Sequence, residues 1–596
     1  MSRFIRTPPP FAQRIDAPDG SIRLTTRLPL GTVHPSLPHL FDAVAARASD
    51  QPFLRQRDAA GAWRSITYGE AKQASDALGQ WLIEQGIGIG DSVCYLSAPS
   101  IEHGIAAIGV QRSGAAIAPI SVAYSLMSDN FDRLRSCVAT IEAKVVIVDD
   151  AAIFAPALCA LADLDPVFVA VRGKAEGIAT IAWRDVLATR PDDRLAQRMA
   201  ALTLRTTARI MYTSGSTGSP KATPQPHANL TVTVAQNEAL GLLDFGGEAP
   251  QFLESMPFSH IMAGNFNFNN VIAAGGTMWI DDGKPTPALF ARTIANLREV
   301  SPHFFISVPL AFAMLCDAME ADIGLRDAFF ARLRFIGFGG ALLPESVRAR
   351  LLALSRAACD GGEIPIFSYY GATEFMFGAL RYWPEGPSDV IGLPPPTTEM
   401  KLLPLDDDRL ELRVRGRTMM QPSGYIGQPE ASKRLFDAEG FYCTGDAVRF
   451  ADPQDASRGL VFAGRLSEDF KLSSGTFVNA TQLRQELLAH LGGLAQEVVL
   501  CGLNADYVSA LIWLHPERVG VDIDTVLAAA IDAFNQARWG SSRRIGAVRI
   551  MDRPLAFDHG ERTDKGNVAA RVVRERRSAD IAAIYAGEID GAILRF

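Results

Sequence analysis

Helical patterns alternate with short apolar runs along most of this chain, and that alternation constrains its fold more than any other feature. HLFDAVAARA and YGEAKQASDALGQWLIEQG have the apolar spacing of amphipathic helices. The strand-like runs are DSVCYLS, AKVVIVDD, VFVAV, HFFISVP and RFIGFGG. Strands that alternate with helices predict βαβ units and largely parallel sheets, so we expect an α/β fold.

The 596 residues exceed what one hydrophobic core organises, so more than one domain is expected. Residues 1–36 are rich in proline and predict an extended surface arm, which precedes a large N-terminal domain at 37–463. Within that domain, two alternating runs at 399–416 flank an Asp-rich turn and predict a hairpin in a β-rich subdomain at about 380–460. Residues 464–596 are expected to form a small, mobile α+β domain.

Composition favours a soluble globular protein. The net charge is −8 with both signs interspersed, which argues against general binding to nucleic acid or to a membrane surface. The seven cysteines lack metal-ligand spacing, and a reducing cytoplasm fits them best. The longest apolar stretch, 104–126, is interrupted by Gln111-Arg112-Ser113 and predicts a buried helix and strand rather than a membrane span.

The stretch YTSGSTGSPKAT, which directly follows an apolar strand, predicts a phosphate site. Glycines let backbone amides approach an anion, hydroxyls add donors, and Lys221 adds positive charge. The sequence does not fit GxxxxGK[ST], because Ser219 and Pro220 separate Gly218 from the lysine. The alternative is a flexible polar linker. The candidate phosphate contacts are Thr213, Ser214, Gly215, Ser216, Thr217, Gly218 and Lys221.

Five ordered motifs resemble those of the adenylate-forming enzymes, which comprise acyl- and aryl-CoA synthetases, peptide-synthetase adenylation domains and luciferases. The phosphate loop is followed by SYYGATE at 368–374, FYCTGD at 441–446, GRLSEDFK at 464–471 and TDKGNVAAR at 563–571. The resemblance covers residues 40–575. It implies the two-domain fold of that superfamily, ATP and Mg²⁺ as cofactors and coenzyme A as co-substrate. The sequence carries no serine-bearing carrier segment or reductase segment, which favours coenzyme A as the acyl acceptor.

The resemblance assigns roles to particular residues. Thr373 contacts phosphate and Glu374 is the Mg²⁺ ligand. Asp446 and Arg465 hold the ribose, although a turn-forming aspartate and a surface arginine are alternatives. Tyr370 offers a face to the purine, or is a core tyrosine. The remaining nucleotide contacts are Gly339, Gly340, Ala341, Tyr369 and Gly371.

The C-terminal motifs depart from the family pattern. Lys565 is the only lysine after Lys471 and is the candidate catalytic lysine, but it precedes Gly566, whereas most relatives carry lysine at the position of Asn567. The alternative is a solvated loop lysine. In the hinge motif, Ser467 stands where Asp or Lys is usual, so Ser467, Glu468 and Asp469 all remain candidates for the pivot.

The acyl pocket is expected between three segments, 257–270, 306–309 and 338–341. His260 gates the pocket by resemblance, or is a hydrogen-bonded core histidine. The other candidate pocket residues are Asn265, Phe266, Ser307, Val308, Phe338, Gly339 and Tyr369.

The sequences of the hinge segment, GRLSEDFKLSSGTFV, and of the tail segment, TDKGNVAAR, are most similar to the feruloyl-CoA synthetase branch. An AMP-forming ligase for hydroxycinnamates such as ferulate and coumarate is therefore the leading hypothesis. A medium-chain fatty acyl-CoA synthetase, a ligase that loads a carrier protein and a non-catalytic nucleotide-binding relative are the alternatives. The oligomeric state is left open, with a homodimer as one form.

Overall fold

The computed structural model contains a seven-stranded sheet that is parallel apart from one edge. It describes residues 4–213, 220–405, 408–420, 423–516, 522–563, 566–587 and 592–596. In spatial order the strands of this first sheet are Lys221–Pro226, Thr207–Thr213, Ala116–Ile120, Ser92–Leu96, Val145–Asp150, Val167–Arg172 and Ile181–Ala182. Only the edge pair Thr207–Thr213 and Lys221–Pro226 is antiparallel.

Two four-stranded sheets complete the α/β part. One has the order Gln251–Glu254, Thr277–Ile280, Pro52–Arg57 and Trp63–Thr67. The other has the order Phe304–Ser307, Phe335–Gly339, Ile366–Tyr370 and Ala379–Arg381. One large apolar core joins all three sheets and includes Phe53, Tyr95 and Phe304. The predicted α/β class is confirmed.

Helices cover the faces of these sheets. Ser36 caps the first helix, and Thr67 with Glu70 forms a capping box on the second, so local side chains satisfy the free amides at both starts. The α-helices before residue 460 are Leu37–Ala45, Tyr68–Glu84, Ile101–Arg112, Ala123–Leu126, Asp132–Thr140, Ala155–Leu161, Trp183–Leu187, Asp193–Ala200, His227–Ala239, Phe268–Ala273, Phe290–Glu299, Pro309–Ala321, Ile323–Phe330, Glu345–Ala358 and Pro429–Ser432. A π-helix, Met262–Asn267, precedes Phe268–Ala273.

An antiparallel sheet forms the β-rich part, as the 399–416 hairpin predicts. Its spatial order is Gln13–Asp16, Ile22–Thr25, Thr398–Pro404, Leu410–Gly416, Tyr442–Phe450, Leu460–Arg465 and Val390–Gly392. The expectation of a surface arm at 1–36 is wrong for its middle, because Ile22–Thr25 pairs with Thr398–Pro404. The hairpin turns at Asp19-Gly20, where Gly20 has φ +82° and the Asp19 carboxylate accepts from the Ser21 amide.

The C-terminal part has a core of its own that begins at Phe470. Its sheet has the order Ala495–Cys501, Val508–Leu514, Ile545–Ile550 and Ile593–Arg595, and a separate pair joins Phe470–Lys471 to Phe477–Val478. Its helices are Ala480–Leu491, Ile523–Gln536, Ala570–Arg576 and Ser578–Ala586. Among the described residues, no helix combines the length and apolar character needed to cross a bilayer.

Candidate active site

A cavity of about 610 Å³ lies between the carboxyl ends of the α/β strands and the C-terminal part. In α/β proteins ligands bind at the carboxyl ends of parallel strands, and several of the predicted motifs begin there. The predicted site residues that line the cavity are Thr213, Lys221, His260, Phe266, Gly340, Tyr369, Gly371, Thr373, Glu374 and Arg465. The fold therefore brings together segments more than 250 residues apart in sequence.

Other predicted residues lie outside the cavity wall or outside the described residues. Those that are described but do not line the cavity are Asn265, Ser307, Val308, Phe338, Gly339, Ala341, Tyr370 and Asp446. Ser214, Gly215, Ser216, Thr217, Gly218 and Lys565 lie outside the described residues. The two ends of the predicted phosphate loop are nonetheless fixed, because Thr213 and Lys221 face each other across an antiparallel pair.

Lys221, Tyr425 and Glu374 form one connected group on the cavity wall. The Lys221 Nζ lies 5.0 Å from the centroid of the Tyr425 ring. The Tyr425 hydroxyl donates to Glu374 Oε1 at 2.5 Å. Burial raises the pKa of Tyr425, and the negative charge of Glu374 raises it further. Tyr425 thus orients both a cation and a carboxylate, a role that the sequence motifs did not indicate.

The chemistry of this group fits Mg²⁺ on a polyphosphate. No cluster of three His, Cys, Asp or Glu side chains able to hold a metal occurs among the described residues. Mg²⁺ needs no such cluster when phosphates supply ligands, because one or two carboxylates with phosphate oxygens and waters complete its shell. Glu374 is 8% exposed and lines the cavity, as a single-carboxylate site requires.

Asp446 and Tyr370 form a second polar group, just behind the cavity wall. The Tyr370 hydroxyl donates to Asp446 Oδ2 at 2.6 Å, and Arg465 Nε lies 3.6 Å from Asp446 Oδ1. Burial raises the pKa of Asp446, and Arg465 partly offsets that effect. The second carboxylate oxygen faces an arginine that is itself on the cavity wall, which leaves acceptor capacity for a ligand hydroxyl.

Aromatic side chains surround the part of the cavity where the acid is expected. The Phe266 ring centroid lies 4.9 Å from that of Tyr369 and 4.7 Å from that of Phe377, and the last two are 5.4 Å apart. Met262 and Met376 line the same region. We call Phe266, Tyr369 and Phe377 the aromatic trio. Phe377 lies three residues beyond Glu374 in a loop without strand or helix periodicity, so no sequence pattern singled it out.

Asn265, which was predicted to line the pocket, instead makes a hydrogen bond to a buried arginine. Arg209, which is 2% exposed, donates to Asn265 Oδ1 at 3.0 Å and to the Gly264 carbonyl. The Asn265 amide in turn approaches Met376 Sδ at 3.8 Å. Asn265 therefore ties the π-helix to the first sheet instead of lining the cavity. Sequence reasoning did not foresee a buried arginine in the strand before the phosphate loop.

His260 lines the cavity at the start of the π-helix region. The Met262 amide donates to its Nδ1 at 3.3 Å, which fixes the ring relative to the helix. The side chain is thus held by local backbone and also contributes to the cavity wall. Both readings of this residue, pocket gate and hydrogen-bonded histidine, are compatible with that geometry.

The C-terminal part closes the cavity with a short hairpin. The Thr563 amide donates to the Asn567 carbonyl at 2.8 Å, and Arg562 pairs with Val568 in an antiparallel bridge. The residues of this part that line the cavity are Gly560, Arg562, Thr563, Asn567, Val568, Ala569, Ala570, Arg571, Val572 and Arg574. Asn567, the position where relatives place lysine, therefore faces the cavity that Thr373 and Glu374 line.

The three hinge candidates differ in their contacts. Asp469 is 2% exposed on its side chain and pairs with Arg409 Nη1 at 2.9 Å, so it is anchored to the β-rich sheet. Glu468 accepts from the Thr481 hydroxyl at 3.0 Å. Ser467 lines the cavity, and the structure describes no side-chain hydrogen bond for it.

Comparison with solved structures defines the class of fold. A crystal structure of the anthranilate CoA ligase AuaEII in complex with anthranoyl-AMP superposes with a TM-score of 0.73, covering 93% of this chain and 99% of that one at 18% identity. ATP-bound MatB from Rhodopseudomonas palustris gives a TM-score of 0.66, covering 91% and 99% at 20% identity. The fold is that of the adenylating enzymes, with a large N-terminal and a small C-terminal domain.

Sequence comparison then gives the family. The profile described as AMP-binding enzyme matches residues 41–425, so the chain belongs to the AMP-binding enzyme family. Long-chain-fatty-acid–CoA ligase FadD15 of Mycobacterium bovis is 26% identical, over 89% of this chain and 94% of its own length. The 3-hydroxybenzoate–CoA ligase of Aromatoleum sp. is also 26% identical, over 79% and 84%. The expected class, an AMP-forming ligase that uses ATP, Mg²⁺ and CoA, is confirmed at the level of this family.

Proposed function

We propose that this protein is an ATP-dependent ligase that joins an aromatic carboxylic acid to coenzyme A, with hydroxycinnamates such as ferulate and coumarate as the first candidates. The observation that carries the aromatic part is the trio of Phe266, Tyr369 and Phe377 around one end of the cavity. Tilted and edge-to-face rings pack well against a flat ring. The similarity to a 3-hydroxybenzoate–CoA ligase supports the same class.

The first half-reaction joins the acid to AMP. A carboxylate oxygen attacks the α-phosphorus of ATP, a new P–O bond forms, and the bond to the β-phosphate oxygen breaks with release of pyrophosphate. The reactants are both anionic, so the site must neutralise charge and align the attack. In this proposal Thr213, Lys221 and the loop between them hold the leaving phosphates, Thr373 contacts the α-phosphate, and Glu374 would hold Mg²⁺, which supplies positive charge to the phosphates.

The second half-reaction transfers the acyl group. The thiolate of coenzyme A attacks the acyl carbon, the carbon–oxygen bond to AMP breaks, and AMP leaves with its oxygen. Asp446 and Arg465 would hold the ribose through both steps. Tyr370, whose hydroxyl donates to Asp446, would orient that carboxylate.

We propose that residues 464–596 move as a lid on the N-terminal part, 37–463, between the two half-reactions. The separate core that begins at Phe470 supports movement as a unit. Asp469 is anchored by Arg409 and Glu468 by Thr481, so Ser467 is the hinge candidate with the fewest side-chain contacts to break.

The choice of acid is tested with a panel. We expect ferulate and 4-coumarate to release more thioester per enzyme than decanoate does. Phe377→Leu should raise KM for the aromatic acids about tenfold, because it removes a ring contact worth about 1 kcal/mol together with buried area. Phe375→Leu is the matched control, because Phe375 is also buried but packs against Tyr370 and Tyr442 in the β-rich core. Faster turnover of decanoate would refute the aromatic assignment.

Three alternatives each predict a distinct outcome, and one of them has support in the structure and the comparisons. The similarity to a long-chain-fatty-acid ligase, with Met262 and Met376 on the cavity wall, favours an aliphatic acid, and preference for decanoate would establish it. A ligase that loads a carrier protein would release pyrophosphate without consuming CoA. A non-catalytic relative would bind ATP and exchange no pyrophosphate. A cytoplasmic location fits the seven cysteines, all of which are free thiols.

A further inference from the structure

The hairpin at 562–568 places an arginine beside the position where the family resemblance expects a lysine. Arg562 pairs with Val568 across the hairpin, and the Thr563 amide donates to the Asn567 carbonyl. Gly566 has φ +81°, and its amide donates to the Thr563 carbonyl. Arg562 and Asn567 both line the cavity that Thr373 and Glu374 also line.

Arg562 differs from the other arginines on the cavity wall in its contacts. Its Nε is buried and has no hydrogen-bond partner among the described residues. The Nε of Arg574 is likewise buried without a described partner, but Arg574 donates through Nη2 to the Glu468 carbonyl. The other three are engaged as well: Arg133 stacks on Phe557, Arg465 faces Asp446, and Arg571 donates to Glu575. Nor does the adjacent carboxylate neutralise it, because Glu561 is fully buried and is bound by Arg577 through both oxygens.

A buried guanidinium donor without an acceptor is costly, and an anionic ligand in the cavity would relieve that cost. A guanidinium presents two parallel N–H groups that match two oxygens of one phosphate, which makes it well suited to this ligand. Asn567, in contrast, carries no charge. Arg562 is therefore the cation of this hairpin that the described residues place on the cavity wall.

We propose that Arg562 is a phosphate-binding residue of the adenylation half-reaction, in which it holds the α-phosphate of ATP and neutralises the charge that builds up during attack. This inference rests on the proposed ligase function. The guanidinium reaches the nucleotide from the C-terminal part, so it acts only while the hairpin closes the cavity. Movement of that part for thioester formation withdraws it.

Binding tests this role without turnover of any acid. We expect Arg562→Met to weaken ATP binding about tenfold in calorimetric titration, because one charge-assisted contact is lost. Adenosine binding should not change, because adenosine has no phosphate. Arg576→Met is the matched control, since Arg576 lies outside the cavity wall. Equal ATP affinity in Arg562→Met and the unmutated protein would overturn the proposal, whatever the identity of the acid.

Kinetics separates a contact in the reaction from a structural role. Acid-dependent ATP–pyrophosphate exchange should fall about 100-fold in kcat for Arg562→Met. Thioester formation from supplied aryl-adenylate should stay within about twofold, because the hairpin has moved away by then. Adding Asn567→Lys, which places a cation across the hairpin, should restore part of the exchange. Equal loss in both half-reactions, or no rescue, would overturn the proposal. Failure of the unmutated protein to exchange with any acid would instead count against the proposed function.

Discussion

The carboxyl group of Glu254 makes stability depend on pH in a way that one substitution should remove. Glu254 is fully buried at the end of the strand Gln251–Glu254. Its oxygens accept from the Met256 amide at 2.7 Å and from the Asn267 side chain at 2.8 Å. Asn267 ends the π-helix that carries Met262 and Phe266 to the cavity, so Glu254 anchors one wall of the proposed acyl pocket.

Burial raises the pKa of Glu254 from its ordinary 4.5 to about 8, and the negative charge of Asp281 adds to the effect. Between these values the folded protein holds a proton on this group that the unfolded chain has lost. Stability from this group is therefore complete below about pH 4.5 and is lost as pH rises to about 8. The slope is about 1.4 kcal/mol per pH unit, and the full loss across the interval is about 5 kcal/mol.

Glu254→Gln is the direct perturbation. A glutamine has the same shape and does not ionise, and its amide can donate to the Asn267 Oδ1 atom, which is buried without a partner among the described residues. Urea unfolding should be measured for both proteins from pH 5.5 to 7.5. We expect the difference in unfolding free energy to change by about 3 kcal/mol across that range, in favour of glutamine at the higher pH. A difference that stays constant with pH would refute this reasoning.

Three further changes test the nucleotide site and the interface between the two parts of the chain. Asp446→Asn should weaken ATP binding by about 2 kcal/mol and reduce the ratio of the affinities for ATP and 2′-deoxy-ATP. An unchanged affinity ratio would show that Asp446 does not bind the ribose. Tyr425→Phe should raise the Mg²⁺ concentration for half-maximal exchange about tenfold, since Glu374 loses its orienting donor, and an unchanged Mg²⁺ profile would contradict this role. Asp469→Asn should destabilise the protein by about 3 kcal/mol in urea, because it removes the buried carboxylate that Arg409 Nη1 contacts at 2.9 Å. Loss below 1 kcal/mol would show that the pair does not hold the parts together.

Local periodicity predicted strands of the α/β part because a buried strand shows as a short apolar run in the sequence itself. The apolar runs at Val145–Asp150 and Phe335–Gly339 are strands, and the two alternating runs at 399–416 belong to two paired strands. Motif order then identified which strand ends carry the site.

Contacts between distant segments could not be predicted in this way. From the sequence alone, the segment 13–25 is predicted to be an isolated arm. Its partner strand, Thr398–Pro404, is more than 350 residues away in the sequence. The sequence suggested that Asn265 is available to a ligand, because its hydrogen-bond partner Arg209 lies in the distant strand Thr207–Thr213. Phe377 belongs to the aromatic trio because of the path of its loop, and a loop has no repeating apolar spacing in the sequence that could have predicted this position.

Oxygen-isotope transfer tests the central claim most directly. The enzyme would receive ATP, CoA and 4-coumarate labelled with ¹⁸O in its carboxylate, and the mass of the AMP product would be measured. Attack of the carboxylate on the α-phosphorus leaves one labelled oxygen on AMP after thiol transfer, so we predict one ¹⁸O per AMP formed. Unlabelled AMP, or label in pyrophosphate or free phosphate instead, would contradict activation of an aromatic acid as its adenylate.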